Sequence, residues 1–170
     1  MMALLAVLLA AQWLGTETRD LPQTADGPYL LLEELGYTGD RGQSYIGDHT
    51  SELTVSRSLL ADHWHAFEVV EQGDGQVWMY QDVYRLRRAD PMDFARTLME
   101  TAVFARSAED FVPAEAQGLD AAWLCGDLEL VAVKGDLVIY AESLTPGYQD
   151  DGYLRAMLPA LSARWESLAA

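Results

Sequence analysis

The same order of signals occurs twice in this chain, and it leaves few ways to fold. Phe67 to Glu71 is apolar and β-branched, Gln72-Gly73-Asp74-Gly75 has turn chemistry, and Gln76 to Leu86 supplies a return strand. Asp90 then stands as an N-cap with Pro91 at the first helical position, where a missing N–H does no harm. Phe94, Leu98 and Ala102, flanked by Ala95, Met99 and Val103, form an apolar stripe at helical spacing. Farther along, Leu128 to Val133 alternates, Lys134-Gly135-Asp136 turns, and Leu137 to Glu142 returns. Gly147 to Asp151 reads as loop and cap. A helix then runs to about Leu168, with Leu154, Met157, Leu158, Leu161, Trp165 and Leu168 on one face. Pro159 inside it is expected to kink it or delay its start.

A hairpin alone is marginal in water, and so is a single amphipathic helix. Two such units side by side predict an α+β domain: an antiparallel sheet of at least four strands, with both helices packed on one face. Val77-Trp78-Met79-Tyr80 is apolar on both alternating faces, which suits a central strand. Upstream, Tyr29 to Leu35 reads as a short helix stopped by Gly36, Gly36 to Asp48 as loop, and Ser51 to Leu60 as a strand. Half the residues are hydrophobic, enough for a core, so disorder is not the reading.

Residues 1–16 carry no charge, and Met1 to Leu14 has the length of a secretory h-region, short of the about 20 residues a membrane span needs. The expected organisation is a signal or apolar segment over 1–16, a polar tether over 17–28 and one α+β domain over 29–170. That implies an extracytoplasmic protein, secreted or at the cell surface. The alternative is a cytoplasmic protein whose first segment packs as a buried helix or strand.

Charge narrows the partners. Twenty-seven Asp and Glu against eleven Lys and Arg give a formal net charge of −16. A polyanion such as nucleic acid is bound by neutralising its phosphates with cations, so this chain would repel it, and anionic membrane surfaces are disfavoured for the same reason. Cys125 is the one cysteine, so no intramolecular disulfide forms. It has no cationic neighbour to make a thiolate, and reads as a small hydrophobe.

The sharpest constellation is Asp62-His63-Trp64-His65. On a strand, residues i and i+2 share a face, so His63 and His65 could reach one metal, with His49 as a third nitrogen and Glu68 or Asp62 as an oxygen ligand. The ordinary alternative is a pair of half-exposed histidines flanking a core tryptophan. No phosphate cradle, nucleophile elbow or EF-hand spacing is present, and no cofactor is expected. Trp64, Trp78, Tyr80, Tyr84 and Tyr140 fall on expected strands. Core packing is the default for them, but a face left uncovered by helices would make Trp78, Tyr80 and Tyr84 the lining of a ligand site.

Taken in order, LLLEELG, QVWMYQDVYRLRRADPMDFARTL, LELVAVKGDLVIYAES and the closing amphipathic helix resemble actinobacterial extracytoplasmic sensor-type and lipoprotein domains, the PknH-like kinase ectodomain family, over roughly Tyr29 to Leu168. Such ectodomains usually carry disulfide cysteines, whereas Cys125 stands alone here. The resemblance implies a non-enzymatic exported domain that binds an unknown ligand or protein partner. The rival expectations are a metal-dependent enzyme built on His49, His63 and His65, and a cytoplasmic accessory protein that docks a basic partner.

Overall fold

The computed structural model describes residues 27–41, 45–47, 57–72, 75–143 and 153–169. The apolar segment, the tether up to residue 26, His49 and the Gly147 to Asp151 loop lie outside them. Among the described residues no helix is long and apolar enough to cross a membrane.

The two hairpins form as expected. β3 (Leu60–Gln72) pairs with β4 (Gly75–Leu86), and β7 (Glu129–Lys134) pairs with β8 (Leu137–Ser143). Antiparallel pairing of β4 with β8 then joins them, so β4 is a central strand. Gly135 takes a left-handed φ of 58° in the second turn, where a side chain would be strained. Short strands extend the sheet: β1 (Asp40–Arg41) and β2 (Tyr45–Gly47), within the stretch expected to be loop, lie along β3, then β6 (Ala121–Cys125) and β5 (Val112–Pro113) beyond β7. Among the described residues the sheet has eight strands in the order β1-β3-β4-β8-β7-β6-β5, with β2 also on β3. The architecture is α+β and antiparallel.

The two helices do not share a face. α2 (Tyr153–Ala169) packs on Val77, Met79, Val83, Leu130, Ala132, Ile139 and Ala141. α1 (Pro91–Thr101) packs with Tyr84, Leu86, Val131, Val133, Val138 and Tyr140, which alternate with that set along the same strands. The cause is visible in the strands: all seven residues of β8 are buried, so both faces of the sheet need cover.

Three boundaries also differ from expectation. Of the expected Ser51 to Leu60 strand, residues 51–56 lie outside the described residues and 57–59 form a 3₁₀ turn, while β3 starts at Leu60, seven residues before Phe67, because it pairs with β4 along almost its whole length. α1 is capped by Asp90, whose carboxylate accepts Met92 N–H (2.9 Å) and Asp93 N–H (3.1 Å). It ends at Thr101, leaving Val103 59 % exposed, because side chains of the sheet draw the following amides away from the helical path. α2 continues through Pro159. Pro159 and Arg155 are both exposed, so water can serve the Arg155 carbonyl that lacks its N–H partner. Its buried stripe runs Leu154, Met157, Leu158, Leu161 and Trp165; Leu168, one turn later, is exposed.

The Tyr29 to Leu35 segment is only partly helical. Leu32–Leu35 form a 3₁₀ turn closed by Gly36 at φ 91°, while the residues before it run across the α2 face of the sheet. No strand ladder holds them there. Gln81 accepts the Leu30 N–H (3.1 Å) and donates to its carbonyl (2.6 Å), and Glu68 accepts the Leu32 N–H (2.7 Å). Trp165 donates its indole N–H to the Pro28 carbonyl (2.6 Å), and Arg164 pairs with Glu34. Leu30, Leu31 and Leu32 are thereby buried, each contributing about 1.5–3 kcal/mol of transfer energy.

Candidate functional site

The α1 face of the sheet carries more polar chemistry than a buried sheet face needs. The strand register lays it out in rows. His65 of β3 lies opposite Asp82 of β4, which lies opposite Tyr140 of β8. One row over, Phe67 faces Tyr80, Tyr80 faces Glu142, and Glu142 faces Glu129 of β7. On the other side His63 faces Tyr84.

Asp82 is the hub of the first cluster. One of its oxygens meets both His63 Nε2 (2.8 Å) and His65 Nδ1 (3.1 Å), and the other accepts the Tyr80 hydroxyl (2.6 Å). Burial pushes its carboxyl up, but the hydrogen bonds from His63, His65 and Tyr80 outweigh that and hold it well below the usual carboxylate range. The phenols respond in the opposite sense. Burial, and then the nearby Asp82 charge, drive Tyr80 and Tyr84 far above the ordinary tyrosine value, so both stay protonated.

The second cluster centres on Tyr140. Its hydroxyl lies 2.7 Å from Glu129 Oε1 and 2.5 Å from Glu142 Oε1. Glu129 also accepts the backbone N–H groups of Phe104 (2.8 Å) and Ala105 (2.9 Å). Burial raises the Glu142 carboxyl, Tyr140 opposes it, and the charges of Glu129 and Asp82 add to it, giving a value of about 7.

The expected site residues are distributed unevenly over this arrangement. His63 and His65 do share a face, yet they are buried rather than half-exposed, and they meet on Asp82. Glu68 and Asp62, the expected oxygen donors, fall on the opposite face: Glu68 holds the Leu32 amide, and Asp62 lies 3.7 Å from Arg85. Among the described residues no group of three His, Cys, Asp or Glu side chains is arranged to hold a metal ion. Trp64 is half-buried on that opposite face, with the Arg85 guanidinium 5.4 Å from its ring.

Trp78, Tyr80 and Tyr84 lie together on the α1 face. Tyr84 is covered, stacked on His63 with ring centres 4.7 Å apart and edge-on to Phe94 of α1. Trp78 and Tyr80 are half-buried, as is Phe67, whose ring stands edge-on to Trp78 at 6.1 Å. α1 packs against β7 and β8. Burial, with Glu129 and Asp110 nearby, raises the Cys125 thiol above its ordinary value, which disfavours the thiolate.

Asp82, Glu129 and Glu142 escape a reading by motif. Their signal is alternation: Tyr80, Asp82 and Tyr84 recur at every second residue, as do Tyr140 and Glu142, which puts acids on a face that otherwise reads as core. Fold and site together define an antiparallel α+β domain, helix-covered on both faces, with an acid–aromatic cluster on one of them. No protein-family model matches the chain, and neither the curated proteins nor the solved structures contain a match.

Proposed function

We propose that this chain is a non-enzymatic, extracytoplasmic binding or sensory domain, and that its ligand or protein partner engages the β3–β4 end of the α1 face. The observation that carries the reading is the half-buried trio Phe67, Trp78 and Tyr80, of which Tyr80 is hydrogen-bonded to the buried, ionised Asp82. Aromatic edges and faces supply area at low entropic cost, and the acid beneath favours a cationic group such as an amine or guanidinium. A net charge of −16 favours the same kind of partner through long-range attraction.

Titrating labelled protein with a panel of amines, amino acids and basic peptides tests this by NMR. Shifts concentrated at Trp78 and Tyr80, and lost in Trp78→Ala, are the expected result. Shifts scattered over the acidic surface, or none across the panel, would remove the site. The competing metal reading on His49, His63 and His65 predicts near-stoichiometric zinc or iron in purified protein, lost in His63→Ala with His65→Ala. N-terminal sequencing of the protein recovered from an expressing bacterium tests export: an intact Met1 on a cytoplasmic product favours the accessory-protein reading.

A further inference from the structure

The Glu142–Tyr140–Glu129 chain has one proton too few if both carboxyls are ionised. A phenol has a single O–H, so Tyr140 can donate to only one of the two glutamates it touches. Glu129 is the one built as an acceptor: its Oε1 takes the Phe104 N–H and the Tyr140 hydroxyl, and its Oε2 takes the Ala105 N–H. Glu142, 2.5 Å from the same phenol oxygen, must then carry a proton and donate it to Tyr140. The Val103 N–H approaches that oxygen as well, at 3.3 Å, filling its remaining acceptor site.

We propose that these three side chains form a proton-operated latch: with Glu142 protonated the chain is closed and pins residues 103–105 to the sheet, and loss of that proton loosens the strap. The strap joins α1 to the rest of the fold and carries Val103 and Phe104, two of the exposed large apolar side chains. Ionised Glu142 would face ionised Glu129 directly across the β7–β8 ladder, where like charges repel, with only one hydroxyl proton to share. The other titratable groups facing the latch do not relieve this. Tyr80 and Asp82 of β4 border Glu142, and Asp82 adds negative charge; His65 of β3 is engaged with Asp82. Cys125 of β6 lies beside Glu129, with Asp110 beyond it. Asp93, Arg96 and Glu100 of α1, and Arg106 after the strap, are exposed. The near-neutral value of Glu142 places the operating range between mildly acidic and mildly alkaline conditions. The latch does not depend on whether the aromatic end of the face binds a ligand.

The test follows the side-chain carboxyl carbon of Glu142 and the backbone amides of Phe104 and Ala105 by NMR across that range in the full chain. The expected result is a Glu142 titration displaced well above the usual glutamate range, with both amides losing their hydrogen-bonded downfield shift along the same curve. Glu142→Gln, whose amide N–H can donate to Tyr140 at any pH, should hold both amides at their low-pH positions throughout. A Glu142 titration in the ordinary carboxylate range overturns the proposal in the wild-type protein alone, whether or not the variant folds. Amides that stay fixed while Glu142 titrates, or that still titrate in Glu142→Gln, overturn it equally.

Discussion

Asp82 and Glu142 are neighbours on one sheet face whose surroundings push their carboxyls in opposite directions. The consequence for stability has a definite sign. Asp82 is held low, so its contribution is present above its ordinary value of 3.8 and is lost as the pH falls through that region. Glu142 is held high, so its favourable contribution is complete below 4.5 and is lost as the pH rises toward about 7. The thermal midpoint should therefore climb on acidification from about pH 8 to about pH 5 and fall again below about pH 4. Circular dichroism melts across that range test it; Glu142→Gln should flatten the neutral limb and Asp82→Asn the acidic one. A midpoint that rises steadily toward pH 8 would contradict the assignment. Alternation alone placed Trp78, Tyr80 and Tyr84 on one face, and His63 with His65. It could not show that Asp82 is the histidines' partner. That pairing depends on the β3–β4 register, which a turn four residues long does not specify by composition.

Among the elements, the closing helix bears the plainest test of packing. Leu161 is fully buried and Arg155 is exposed on the same helix. Leu161→Ala should cost about 2–5 kcal/mol through lost transfer energy and the cavity left behind, and Arg155→Ala should stay within about 0.5 kcal/mol. Urea melts of the two variants measure it, and equal, mild losses would mean that α2 does not pack as described. Both hairpins and both helices were legible because turn chemistry and apolar period agreed in each. β5 and β6 were not: Val112–Pro113 is two residues long, and Ala121–Cys125 is too short for a period to emerge. The helices cover opposite faces rather than one, and the strands already carry the signal for it. An apolar run with no polar alternation, such as Leu137 to Ala141, already calls for cover on both sides.

For the molecule as a whole, 27 acidic against 11 basic side chains leave a net charge of −16, whose self-repulsion opposes the compact state. Surface ion pairs return little of that cost; Lys134 with Glu166 and Arg164 with Glu34 are typical, and each partner is wholly or partly solvent-facing. Self-repulsion at this net charge is long-ranged and therefore open to screening. Raising sodium chloride from about 10 mM to about 0.3 M should raise the thermal midpoint, since the screening length falls from roughly 30 Å to below 10 Å. Calorimetry at fixed pH checks it, and a midpoint that falls with salt would show that local ion pairs outweigh the global repulsion.

The clamp on Pro28 to Leu32 has a consequence for the order in which the chain can assemble. Its backbone is gripped by Gln81 and Glu68 from mid-sequence and by Trp165, whose indole bonds a carbonyl 137 residues earlier. On a ribosome the leucines of this segment emerge long before the helix that covers them exists. The sheet can form in the meantime, since its ladders need only strands already made. The last contact must wait until Trp165 has cleared the exit tunnel. Closure of this fold thus comes after the sheet has formed, and until it happens Leu30, Leu31 and Leu32 remain available to any chaperone that recognises extended apolar chain.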